Sequence, residues 1–244
     1  MIAGRMTMTN LSKRIINAFI RRFRYGFRSD IPESRCEGFD TYLEAANKAG
    51  EDVNDWIETV LQWKPALPVL KEVVFPYLEN NSTLCEIGSG TGRQTRHIIP
   101  EIPHGTLHLF DHSLWIQKFL KGYFSKYRNV HVHNCDGLAL DMPDHSTDLV
   151  FSNGTFIEMK LGTIFLFSNQ FARIVKHNGF VIFDYIDIST REGWQYLESQ
   201  SAQFSNCYTY HSGSTIDKIF SNAGFELIKR YQYGKSTYVV YRKM

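Results

Sequence analysis

The chain has 244 residues, of which 43% are apolar and 21% charged, with a net charge of +2. These are the proportions of a globular protein long enough to bury one α/β core plus extra segments. Nothing in the sequence approaches the roughly 18–20 consecutive apolar residues of a membrane span, and the arginine-interrupted N-terminus does not read as a secretory signal.

The charge is unevenly placed. A basic leader covers residues 1–37, and its first 30 residues hold seven Lys/Arg against Asp30 alone, or +6, leaving −4 for the rest. In it Ile16, Phe19, Ile20, Phe23 and Phe27 share one helical face, with Arg14, Arg21, Arg24 and Arg28 opposite. A helix of this kind over residues 14–28 suits an anionic membrane surface on the cytoplasmic side. Packing on the domain, or on a second subunit in an oligomer, is the alternative.

Residues 38–80 read as a helical segment expected to cover the site, and residues 81–244 as the main domain. There, short apolar runs predict buried strands at Thr83–Ile87, Thr106–Asp111, Val130–Asn134, Thr147–Ser152 and Gly179–Tyr185. Helices are expected between them at Gly92–Ile99, Leu114–Tyr127 and Gly162–Lys176. Ser214 reads as the cap of a helix running to Asn222 with Gly224 as its stop. Phe225–Tyr231 and Ser236–Arg242, separated by Tyr233-Gly234-Lys235, read as a closing hairpin. Strand–helix alternation specifies a Rossmann-like, doubly wound, mostly parallel seven-stranded sheet, with one antiparallel strand at its end. The cysteines Cys36, Cys85, Cys135 and Cys207 lie far apart with no C-x-x-C pair and read as free thiols in a reducing cytoplasm.

Glu86-Ile87-Gly88-Ser89-Gly90-Thr91-Gly92 follows the first strand and opens a helix. Glycine suits a turn whose backbone must approach a ligand closely. A dinucleotide loop would carry its last glycine at 93, where Arg93 stands instead. Asp111 ends the second strand, 19 residues beyond Gly92, where a carboxylate can accept hydrogen bonds from both hydroxyls of a ribose. Ser113 can cap the next helix.

On these residues the chain resembles the class I S-adenosylmethionine-dependent methyltransferases. Glu86-x-Gly88-x-Gly90-x-Gly92 is similar to that family's first motif, and Asp111 to its acid after strand two. Asn134-Cys135-Asp136-Gly137, Asp148–Gly154 and Arg173–Phe180 resemble the motifs at strands three, four and five. The resemblance implies S-adenosyl-L-methionine as cofactor. Gly88, Ser89, Gly90 and Gly92 would form its loop, Glu86 would hold its ammonium group, and Asp111 its ribose, flanked by His112. Asp136 and Gly137 would face the adenine, and Ser152 and Asn153 the methionine end.

The acceptor is less legible. Glu158, Asp184, Asp187 and His211 are candidate bases for removing its proton, and no metal cluster is apparent. Selection is expected in the insertion 186–211, with Trp194, Tyr196, Phe204, Tyr208 and Tyr210, and in the N-terminal segment, with Tyr42, Trp56, Trp63 and Lys64. Ser152-Asn153-Gly154 departs from the (N/D)-P-P-(Y/F) pattern of family members that methylate amide or adenine amino groups. The acidic body argues against nucleic acid. These features favour O-methylation of a small molecule, a saccharide or a lipid-linked saccharide. N-methylation of a small amine and a non-catalytic methyltransferase-like subunit are the alternatives.

Overall fold

The computed structural model describes residues 36–134, 139–200 and 208–244. The leader helix, Asp136, Gly137 and Phe204 lie outside the described residues. Among the described residues three helices come first, α1 (Cys36–Ala49), α2 (Val53–Thr59) and α3 (Ala66–Val73). The α/β region then runs β1 (Thr83–Ile87), α4 (Thr95–Ile98), β2 (Thr106–Asp111), α5 (Leu114–Tyr123), β3 (Val130–Asn134), β4 (Thr147–Ser152), α6 (Leu161–Ile174) and β5 (Val175–Asp187). It closes with α7 (Arg191–Gln200), β6 (Tyr210–His211), α8 (Gly213–Asn222), β7 (Phe225–Tyr233) and β8 (Ser236–Lys243).

The main sheet has the order β3-β2-β1-β4-β5-β8-β7, and the two-residue β6 pairs with β5 off this path. Strands β1 to β5 pair in parallel, while β8 is antiparallel to both β5 and β7. The single reversed strand expected from the closing hairpin is therefore present, but one place in from the edge. The hairpin folds back so that β8 pairs on both sides and β7 becomes the rim.

Successive side chains of a strand point to opposite faces, and both faces here are buried. Leu84, Leu149, Phe151, Ile182 and Val240 join Leu70 of α3, Ile98 of α4 and Leu120 of α5 on one side. Cys85, Val150, Val181, Phe183 and Val239 meet Phe167 and Phe171 of α6 and Phe220 of α8 on the other. This explains why the strands read as continuous apolar runs.

Several predicted boundaries are corrected. The helix after the glycine turn is reduced to Thr95–Ile98, with Gly92 turning at φ +78° before it and a 3-10 turn, Ile99–Glu101, after it. The next helix stops at Tyr123 rather than Tyr127. α6 passes directly into β5, which starts at Val175 instead of Gly179; Asn178 at φ +63° and a register shift opposite Thr147–Leu149 absorb the change. Ser212, not Ser214, caps α8: it has extended backbone and its side chain accepts from Thr215 N, while Ser214 already lies within the helix.

The N-terminal helices are tied to the glycine turn. Asn54, fully buried at the start of α2, donates to the carbonyl of Thr91 (3.0 Å) and accepts from its Oγ1 (2.5 Å). Arg96 reaches Asp55 (2.6 Å) and Asp52 (3.4 Å), and Arg93 pairs with Glu58 (3.2 Å). Buried side-chain amides with two partners fix register, because leaving either partner unmade costs desolvation energy. Among the described residues no helix is long and apolar enough to cross a membrane.

Candidate active site

Ligands of doubly wound folds bind beyond the carboxyl ends of the strands, beside the switch in strand order. Here that point lies between β1 and β4, and the predicted turn occupies it. Gly88 N donates to the carbonyl of Phe110 (2.7 Å), which holds the ends of β1 and β2 together. Gly92 N donates to Ser89 O (2.9 Å), closing the turn.

The three glycines have different reasons for being glycine. All have positive φ, +71° at Gly88, +51° at Gly90 and +78° at Gly92, a conformation costly for residues with a Cβ. At Gly88 an added Cβ would lie 2.0 Å from Thr155 Oγ1, and at Gly92 2.5 Å from the Phe124 ring. Those two serve internal packing. At Gly90 alone an added Cβ would clash with nothing, meeting only the Phe39 ring of α1 at an ordinary contact distance of 3.6 Å. Ligand approach was the expected reason for glycine throughout the turn, and Gly90 is where the geometry leaves room for it.

Asp111 is buried at the tip of β2. Its Oδ2 accepts from Gly90 N (3.1 Å) and its Oδ1 from Ser113 N (2.9 Å), so the acid and the turn form one unit. Gln117 donates to the carbonyl of Asp111 (2.8 Å), and Ser113 caps α5 as anticipated. Burial pushes the Asp111 carboxyl upward, against the hydrogen bond from Ser113 N and the neighbouring His112. Glu86 is 2% exposed and accepts from Thr95 Oγ1 (2.6 Å). Burial pushes it up to about 7, with Thr95 opposing and the charge of Asp111 assisting. His112 is exposed, its ring nitrogen 3.7 Å from Asp111.

At the end of β4, Ser152 is buried and donates to Ile87 O (2.8 Å), fastening β4 to β1. Asn153 Oδ1 accepts a short hydrogen bond from the buried Tyr238 hydroxyl. Asp184 Oδ1 accepts from Gly154 N (2.6 Å) and Oδ2 from Ser236 Oγ (2.9 Å). Its carboxyl is raised to about 6 by burial. Asp187 accepts from Ser189 N, Gly213 N and Tyr185 OH, tying β5 to the start of α8. Glu158 is exposed at the end of a 3-10 turn, Phe156–Glu158. His211 Nε2 lies 3.0 Å from Met159 O, and burial lowers its pKa.

Of the aromatic residues, Trp194 is 49% exposed and donates to Glu198. Tyr208 packs near Tyr196, with ring centroids 5.9 Å apart, and Tyr210 pairs with Ile186 through β6. On the N-terminal side Tyr42 lies beside Trp56 (6.0 Å) and Trp63 (6.4 Å), and Arg93 stacks over Trp63 (5.5 Å). Sequence reasoning missed Asn54, Phe39, Thr155 and Tyr238. Each acts on a turn far away in the chain, and no local pattern signals it.

The site fits the donor its fold implies. Gly90 is the turn glycine without a packing clash, and a carboxylate on the adjoining strand end suits a ribose diol. A buried acid with raised pKa stands behind the turn, where an ammonium group would complete it. The fold is that of the class I S-adenosylmethionine-dependent methyltransferases the sequence resembles, and the residues at the strand ends are those the resemblance implies. Residues 84–179 match a family described as a methyltransferase domain. The chain is similar to an S-adenosylmethionine-dependent methyltransferase from Aquifex aeolicus (19% identity, 72% of this chain and 88% of that one, TM-score 0.57). It is also similar to the putative methyltransferase complexed with the Trm112 activator from Haloferax volcanii (16% identity, 84% and 96% covered, TM-score 0.60). A third similar structure is geranyl diphosphate C-methyltransferase from Streptomyces coelicolor A3(2) (10% identity, 73% and 79% covered, TM-score 0.58). No curated protein matches the chain.

Proposed function

We propose that the chain transfers a methyl group from S-adenosylmethionine to an oxygen of a small molecule, a saccharide or a lipid-linked saccharide. The observation behind the choice of oxygen is the Asn153 side chain, whose carbonyl accepts the Tyr238 hydroxyl. One of its two lone pairs is taken there, and Ser152-Asn153-Gly154 lacks the (N/D)-P-P-(Y/F) pattern of family members that methylate amide or adenine amino groups. When bound, the cofactor supplies a methyl group activated by its sulfonium. The chain's residues position the acceptor in line with that group, and such positioning can contribute several kcal/mol.

Gly90 and Asp111 hold the donor, and Glu86 faces its ammonium group. Asp184 positions the Gly154 turn, since each of its oxygens accepts a hydrogen bond from the chain. Proton removal from a hydroxyl falls to Glu158 or His211. His211 keeps a proton on Nε2 for the Met159 carbonyl, which leaves Nδ1 as its basic nitrogen. The leader, residues 1–37, brings the domain to an anionic membrane face. Co-sedimentation with anionic liposomes is expected to disappear when residues 1–30 are removed, and two soluble forms would count against it.

The central test is calorimetric binding of S-adenosylhomocysteine to the protein and to Asp111→Ala. Loss of a charge-assisted pair with the ribose is expected to weaken binding by about 10- to 100-fold. Unchanged affinity in the variant removes Asp111 from the donor site. Methyl-labelled donor offered to hydroxyl and amine acceptors then tests the chemistry, and transfer to amines alone overturns the oxygen assignment.

A further inference from the structure

Because β8 runs against β5, the turn joining β7 to β8 lies at the same sheet edge as the donor site. Two contacts fix it there: Ser236 Oγ donates to Asp184, which also holds Gly154 N, and Tyr238 reaches Asn153. Lys235 is the residue at the tip. Its ammonium lies 3.8 Å from the centroid of the Tyr208 ring and 4.7 Å from that of Tyr196, and it donates to the Tyr196 hydroxyl (3.3 Å). A second cation meets it from the N-terminal segment: Lys64 Nζ lies 3.1 Å from the place a Cβ on Gly234 would occupy.

Among the described residues neither lysine has a carboxylate ion pair. Asp184 acts on Lys235 only at a distance, because Gly154 and Ser236 hold its oxygens. Aromatic faces offset part of the desolvation of a half-buried ammonium, but they supply no counter-charge. An anion at this turn would meet the half-buried Lys235 and the exposed Lys64 together. Three separate segments build this arrangement: the loop after α2, the β7–β8 turn, and the insertion carrying Tyr196 and Tyr208.

Resting on the methyltransferase reading, we infer that Lys235, with Lys64, anchors an anionic group of the methyl acceptor, a phosphate or a carboxylate, at the β7–β8 turn. Tyr196 and Tyr208 hold the Lys235 ammonium in a fixed position, and their rings border the sugar or apolar part that follows the anion. The acceptor then spans from this turn to the residue 153–154 turn, where its oxygen meets the donor.

The test uses the full chain saturated with S-adenosylhomocysteine and titrated with phenyl phosphate, benzoate and inorganic phosphate at fixed ionic strength. Phenyl phosphate or benzoate is expected to bind more tightly than inorganic phosphate, since only they also meet the rings. Equal binding of all three would mean an inorganic anion site and would overturn the assignment to the acceptor. Lys235→Met is expected to weaken binding by about tenfold, Lys64→Met to weaken it less, and Lys235→Arg to retain most of it. Lys118→Met, on exposed α5, serves as the charge-matched control. Equal affinities for wild type, Lys235→Met and Lys118→Met overturn the proposal. S-adenosylhomocysteine affinity should be the same in all variants. Its absence in the wild type would instead refute the methyltransferase reading, and the same titration without it would still read the anion site.

Discussion

Glu86 should make donor binding depend on pH. Its carboxyl is raised to about 7 by burial, so near neutrality about half the molecules hold it protonated. An ammonium group placed against it favours the ionised form, and binding must then release a proton. The sign follows: affinity rises with pH through 7 and levels off above it. With a free-state value near 7 and full ionisation in the complex, affinity between pH 6 and pH 8 should change about tenfold, or about 1.4 kcal/mol. Roughly 0.9 proton should be released at pH 6 and roughly 0.1 at pH 8. Calorimetry of S-adenosylhomocysteine binding in buffers of different ionisation enthalpy measures this directly. Glu86→Gln keeps an oxygen for Thr95 but cannot ionise, so the pH slope should flatten, apart from whatever Asp111 contributes, and affinity at pH 8 should fall. A wild-type affinity independent of pH from 6 to 8, with no proton released, would refute the reasoning.

Two further outcomes follow from packing and titration. Gly88→Ala places a Cβ 2.0 Å from Thr155 Oγ1 at a φ of +71° and should cost about 2–4 kcal/mol in denaturant unfolding. Gly88→Ala with Thr155→Gly should recover the clash but leave about 1–2 kcal/mol of backbone cost, and a fully stable single variant would contradict this. On β2 and β3, His108 Nδ1 and His133 Nε2 lie 2.8 Å apart, and burial, then the charges of His133 and His131, push His108 down to about 4. The unfolded chain therefore takes up that proton first, so stability present above pH 6.5 is lost as pH falls towards 4, by less than the full shift corresponds to because solvent screens the partly exposed ring. The unfolding free energy of the wild type relative to that of His108→Leu should fall as pH falls across that window; a constant difference would show that His108 does not titrate in it.

The central strands were legible because they lie between two helical layers and so carry apolar side chains on both faces. The glycine turn and Asp111 were legible as one unit because a strand end, a positive-φ turn and the acid ending the next strand follow each other at short chain distances. What each glycine is for could not be read, because the atoms that exclude a Cβ come from Thr155 and Phe124, distant in sequence. Asp184 read as a candidate base because the apolar run predicted a strand ending beside it; β5 instead continues to Asp187, and the Gly154 and Ser236 hydrogen bonds that hold Asp184 depend on strand order. The place of β8 between β5 and β7 is likewise a choice among pairings that the same hairpin pattern allows. That choice carries Lys235 to the donor edge of the sheet, where Lys64 meets it from the other end of the chain. Local chemistry, then, was set by residues near one another in sequence. Which charges and hydroxyls meet at one sheet edge was decided by packing, because only the folded sheet brings those segments within hydrogen-bond reach.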